Sequence, residues 1–175
     1  VDRQLYAIEP NPKAYDILVA NTYINSNLLF VSNECIWYKK ENKDMYLPYG
    51  DAIGSGSSLV HGIGSTVQVD CITFDDFMYN KNLESIDFMK IDIEGAEFHV
   101  LFGIIKYFRI HKIKLPTLWL SAYPVWWSDE EIESFNTFEI SIGEYNCYNE
   151  NTNISYSYND ILYCIECNIL CIPRY

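Results

Sequence analysis

Phe88-Met89-Lys90-Ile91-Asp92-Ile93-Glu94-Gly95-Ala96-Glu97-Phe98 is the stretch on which the reading of the fold turns. Residues 86–93 are short, apolar and rich in β-branched side chains, as in a buried parallel strand, and Gly95 falls where such a strand must turn into a helix. The apolar run ends in carboxylates, so charge gathers at a strand's carboxyl end. In open α/β sheets that edge binds ligands, because the loops leaving it form a crevice and the helix starts that follow add positive dipoles. The plainer reading is that Asp92 and Glu94 cap a helix running from about Ala96 to Tyr107.

Working upstream, Leu5-Tyr6-Ala7-Ile8 is a brief strand ending in Glu9, and Pro10-Asn11-Pro12 sets up a helix from Pro12 to about Asn25 with Asn11 as N-cap. Ala14, Ile17, Leu18 and Asn21 form its expected inner face. A carboxylate at a strand's edge accepts hydrogen bonds from both vicinal hydroxyls of a ribose, so Glu9 reads either as a nucleoside contact or as an acid favoured by the helix start. Residues 28–32 form the next strand, with Asn33 at its end, where an amide can meet a purine edge. From Cys35 to Tyr49 a loose alternation suggests an antiparallel hairpin. Asp51 to Ser58 is a Gly/Ser loop without the lysine of a phosphate-binding loop. It reads as a surface connection or a flexible loop near substrate, and within it Ser57 is taken as a substrate contact.

Downstream, Thr66 to Ile72 alternates as a strand, and Thr73-Phe74-Asp75-Asp76 opens a short helix. Leu118 to Ala122 forms a strand that delivers Ser121 and Tyr123 to the same edge as Asp92. Trp126 and Trp127 follow, as an apolar platform for a sugar or as core. Residues 143–175 contain strands at Tyr145 to Tyr148 and Ile169 to Pro173 around a polar stretch read as hairpin or loop.

The 175 residues suit one domain with its own core, and a formal net charge of -12 without a basic stripe argues against nucleic acid. No apolar run approaches the roughly 20 residues of a membrane span. Of the six cysteines, Cys164, Cys167 and Cys171 lie close together in the segment from Ile161 to Ile172, which reads as strands. With no histidine nearby they read as buried reduced thiols rather than a zinc site, and the compartment as reducing and cytoplasmic.

Three motifs in order, Tyr6-Ala7-Ile8-Glu9-Pro10-Asn11-Pro12, then Val67 through Asp76, then Lys90-Ile91-Asp92-Ile93-Glu94-Gly95-Ala96-Glu97, resemble the FkbM-type methyltransferases. The resemblance implies an α/β, Rossmann-like class I methyltransferase sheet with flanking helices. It also implies S-adenosyl-L-methionine as cofactor, and methyl transfer to an oxygen of a sugar, glycan or small hydroxylated metabolite. It assigns Glu9 to the cofactor ribose, Asn33 to the adenine side, and Asp92 to the methionine part and the reacting centre as general base. Tyr123 and Trp126 join Ser57 as acceptor contacts.

Lys90 is read on the face of its strand opposite Asp92, and His99 as structural. A divalent metal held by Asp92 and Glu94, on one strand face at i and i+2, is not favoured. The family's first strand and glycine loop have no counterpart after Val1, so the domain is expected to be N-terminally incomplete. A catalytically degenerate binding or scaffold module is the alternative. A nicotinamide-dependent dehydrogenase explains Glu9 but not the other two motifs.

Overall fold

Two prolines and an asparagine set the first turn of the chain. In the computed structural model, which describes residues 4–25, 29–48, 56–126, 143–164 and 167–174, strand β1 (Leu5–Ile8) leads into that turn. Asn11 Oδ1 then accepts the Lys13 N–H at 3.0 Å, and Pro12 opens helix α1 (Pro12–Asn25) with the bounds its sequence predicts. Its less exposed stripe is Ala14, Tyr15, Leu18, Val19 and Thr22, whereas Ile17 is 46% exposed and Asn21 lies outside the stripe. The expected face is therefore rotated by about one position, since two overlapping i, i+3, i+4 sets exist in this helix and only packing chooses between them. Strand β2 (Leu29–Ser32) returns parallel to β1, with Leu5 opposite Leu29.

Strands β3 (Cys35–Ile36) and β4 (Glu41–Tyr46) do not form the hairpin expected of them. Strand β5 (Thr66–Ile72) lies between them, parallel to β3 and antiparallel to β4. Alternation along a strand says which residues share a face and nothing about which neighbour completes the ladder. The Trp37 N–H extends the β3–β5 pairing to the Ile72 carbonyl at 2.8 Å.

The loop after β4 approaches that strand closely: a Cβ on Gly62, whose φ is +153°, would collide with Tyr46 Cβ. Gly62→Ala is therefore expected to cost about 1–3 kcal/mol, read as a lower urea midpoint at unchanged slope. A midpoint equal to wild type would show that the loop yields freely.

Contacts divide the chain into two compact units, Val1–Thr73 and Phe74–Tyr175. The second begins with helix α2 (Phe74–Asn80), followed by β6 (Phe88–Asp92), α3 (Glu97–His111) and β7 (Thr117–Ala122). A short 3-10 turn, Pro124–Trp126, follows β7, and then come β8 (Tyr145–Asn149), α4 (Tyr158–Leu162) and β9 (Cys167–Pro173). The sheet order is β6-β7-β9-β8, with β6 and β7 parallel around α3 and β9 antiparallel to both its neighbours.

On α3, Val100, Leu101, Ile104, Ile105 and Phe108 are all buried, a stripe at helical spacing. Phe74 of α2 meets its far end, 5.7 Å from the Phe108 ring and edge-on to Tyr107. The helix closes on left-handed Lys112, and the Ile113 N–H reaches the Phe108 carbonyl at 2.9 Å. Arg109 and His111 lie in its last turn, where positive charge complements the helix dipole, and Arg109 pairs with Glu144 at 2.7 Å.

Two expectations near the carboxyl terminus need correction. Ile161 belongs to α4, not to a strand, because Ser157 and Asp160 form a reciprocal capping box that starts a helix inside a polar stretch. Cys164 and Cys167 are joined in a disulfide rather than reduced, while Cys35, Cys71, Cys147 and Cys171 are free and buried.

Candidate functional site

Strand β6 ends at Asp92, and the chain then turns sharply. Both central residues of the Ile93–Ala96 turn have positive φ, 54° at Glu94 and 93° at Gly95, and the Ala96 N–H closes it on the Ile93 carbonyl at 3.4 Å. Glycine tolerates that geometry, whereas a glutamate held there costs about 1–3 kcal/mol. Glu94 therefore lies outside the strand, and the expected i, i+2 placement with Asp92 on one strand face is not formed.

Nor does either acid cap α3. The N-cap is Ala96, which has no side-chain acceptor, and Glu97, fully buried, bonds the Gly95 N–H through Oε1 at 3.0 Å. Glu97 was legible only as one more acid in the motif, since nothing local marks a carboxylate for burial.

Asp92 is held by a different partner. Lys90 Nζ lies 3.0 Å from Asp92 Oδ2 and 4.9 Å from the Trp119 ring centroid. The expectation that Lys90 faces away from Asp92 is wrong for a simple reason: residues two apart on a strand share a face. Trp119 is the register partner of Lys90 on β7, so the ammonium sits between a carboxylate below the strand end and an aromatic face on the next strand. With side chains 58% and 35% exposed, the ion pair contributes little to stability. The ammonium contacts one oxygen of the carboxylate, Asp92 Oδ2.

The same register sets Asp92 opposite Ser121 on β7, and Ser121 opposite Asn168 on β9. Directly paired residues share a face, so these three form a polar row across the strand ends. Ser121 is buried and its hydroxyl donates to Tyr123 Oη at 3.4 Å, which places Tyr123 next to the row, as the sequence suggested. Asn168 was not foreseen. Its Oδ1 is buried without a hydrogen-bond partner among the described residues, and only the cross-strand register reveals it. Trp126 lies in the 3-10 turn beyond, though its side chain, like the whole of Trp127, falls outside the described residues.

In the first unit, Glu9 and Asn33 meet. The Asn33 amide donates to the carbonyls of Glu9 at 2.8 Å and Pro10 at 3.1 Å, tying the end of β2 to the loop after β1. Glu9 Oε1 accepts the Asn11 N–H at 2.8 Å, and Oε2 has no partner among the described residues. Burial raises the Glu9 carboxyl above the ordinary carboxylate value, only partly offset by that backbone bond. Ser57 Oγ is buried without a partner among the described residues, and the rest of the Gly/Ser loop before Gly56 lies outside them.

Among the described residues, no three or more His, Cys, Asp or Glu side chains converge as metal ligands, and no helix is long and apolar enough to cross a membrane. A cavity of about 360 Å³ opens beside Met78, Tyr107 and His111, lined by none of the expected site residues.

These features define a mixed α/β protein with acids at strand carboxyl ends in each unit. Its fold resembles the crystal structure of methyltransferase FkbM from Methylobacillus flagellatus KT, with TM-score 0.53 and 19% identity over 96% of this chain and 36% of that one. The chain thus spans about a third of that protein's length. No curated protein matches the sequence. The family model for the methyltransferase FkbM domain matches residues 2–145, and the chain belongs to that family.

Proposed function

We propose that the protein is an S-adenosyl-L-methionine-dependent O-methyltransferase of Rossmann-like class I fold, acting on a hydroxyl of a sugar, glycan or small metabolite. The observation that carries the reading is Asp92 at the carboxyl end of β6, paired with Lys90 and flanked by the Ser121–Tyr123 pair, inside the matched family region. The family match runs through both units, consistent with one methyltransferase domain.

The donor set fits such a cofactor. Glu9 offers a half-buried carboxyl with one oxygen still unbonded among the described residues, suited to ribose hydroxyls, and Asn33 stands beside it. When bound, S-adenosyl-L-methionine supplies a methyl group on a sulfonium. In this reading, Asp92 takes the proton from the acceptor hydroxyl at its carboxylate, while Lys90 keeps that carboxylate in one orientation. Tyr123, Trp126 and Ser57 would contact the acceptor.

Incubating the protein with methyl-labelled cofactor and a panel of sugars should give label in an ether-linked methyl group. Label confined to nitrogen, or found nowhere across acceptors, would refute the O-methyl reading. Lys90→Met should lower kcat about tenfold with little change in KM, because it frees the Asp92 carboxylate without removing it. An unchanged kcat would remove Lys90 from the account.

A further inference from the structure

All six cysteines of the chain meet another cysteine, and every pair lies within one unit. Cys164 and Cys167 are joined already. Cys147 on β8 stands directly opposite Cys171 on β9, 24 residues away in sequence, with Sγ atoms 3.4 Å apart. Cys35 on β3 stands opposite Cys71 on β5, both buried, with the Cys35 thiol donating to the Ile36 carbonyl at 3.3 Å. These two pairs are made by strand register alone, so nothing in the local sequence announces them.

Directly paired residues on neighbouring strands point to the same face, and in antiparallel pairs their Cα atoms are about 4.5–5.5 Å apart. A disulfide spans Cα separations of about 4.4–6.8 Å. For Cys147 and Cys171 the backbone is therefore already in place, and side-chain rotation alone closes the gap between the sulfurs. The competing reading is that each cysteine is a small apolar filler. Filling explains burial, but it does not require that every cysteine have a cysteine neighbour. A metal centre would need further ligands, and none converge among the described residues.

The pair also has a reactive member. The hydrogen bond between the two thiols holds Cys147 below its ordinary value, while the same bond and burial push Cys171 well above. Cys147 is thus the thiol that ionises first and attacks.

We propose that Cys147–Cys171 and Cys35–Cys71 are disulfide-forming pairs, closed by thiol–disulfide exchange with a small disulfide such as oxidised glutathione. Cys147 loses its proton to solvent and its thiolate attacks one sulfur of the oxidant, expelling a glutathione thiolate that is then protonated. Cys171, deprotonated in turn, attacks the Cys147 sulfur of the mixed disulfide and expels the second glutathione. Two protein thiols are oxidised and one glutathione disulfide is reduced to two thiols. The Cys35–Cys71 pair closes by the same two displacements. Each unit then carries its own staple, as proteins of an oxidising compartment do, whereas the reducing compartment read from the sequence would leave both pairs open.

The test equilibrates the whole protein with glutathione buffers of rising oxidised fraction, in urea below its unfolding midpoint so that buried thiols open transiently. Samples are alkylated under denaturing conditions, weighed intact and mapped by peptide mass spectrometry. The expected result is that the four free thiols vanish in the oxidising buffers. Bridges should map to Cys147–Cys171 and Cys35–Cys71, and the thermal midpoint should rise by about 5–10 °C. In Cys171→Ser, or in Cys147→Ala should the first not fold, the lone partner should carry a single glutathione instead. Four alkylated thiols in wild type at every ratio, or bridges linking Cys35 or Cys71 to Cys147 or Cys171, would overturn the proposal.

Discussion

Asp92→Asn is expected to lower methyl transfer by about 10²–10⁴-fold while leaving the thermal midpoint within a few degrees of wild type. The substitution keeps the shape of the side chain and removes its ability to take a proton. Asp92 ends β6 with its side chain partly open to solvent, and its partner Lys90 is more exposed still. The ion pair lost with the charge is therefore of the kind that contributes little to folding. Loss of rate without loss of fold separates a reacting carboxylate from a structural one. The loss should fall on kcat rather than KM, since a proton acceptor acts in the transition state and not in ground-state binding. If the variant turned over at the wild-type rate, the base would have to be sought elsewhere along the polar row, beginning with Tyr123.

The second large effect is expected at Glu9, and it has two signs. Glu9→Gln should weaken S-adenosylhomocysteine binding roughly 10–100-fold, because hydrogen bonds to a charged acceptor are each worth about 1.5–3 kcal/mol. The same variant should be more stable than wild type at neutral pH. Burial raises the Glu9 carboxyl in the folded state, so between its unfolded value, near 4.5, and its higher folded value the native protein holds more protons than the unfolded one.

Stability contributed at Glu9 therefore falls as pH rises through that window, and the full penalty is in place above it. Glutamine keeps an oxygen for the Asn11 N–H and has no charge to desolvate. Its advantage over wild type should be present at pH 7 and disappear below the unfolded value. Urea titrations at several pH values check this directly. A variant that bound weakly and was also less stable at pH 7 would mean that Glu9 serves the α1 turn rather than a ligand.

Much of this could be read from the chain before its structure. The Asn11-Pro12 signal fixed the start of α1, and the alternation from Thr66 to Ile72 fixed β5, because a cap, a proline and a period of two are local facts. The three motifs led to the family. What stayed hidden was set by partners distant in sequence. That β5 separates β3 from β4, that Asn168 stands in line with Asp92 and Ser121, and that cysteines oppose each other all follow from register.

Other misses were local and avoidable. Lys90 and Asp92 are two apart on one strand and must share a face. Ser157 and Asp160 have the spacing of a capping box, overlooked because no apolar period follows them. Glu94 could be placed only from its backbone, since a left-handed glutamate before glycine has no strong sequence mark.

The central claim is that this family member binds the methyl-donor cofactor, and calorimetric titration of the protein with S-adenosylhomocysteine tests it most directly. Saturable binding of one ligand per chain, weakened in Glu9→Gln, is the result the account predicts. Absence of any binding by a folded wild-type protein would contradict it, and would favour a scaffold that keeps the methyltransferase fold without its chemistry.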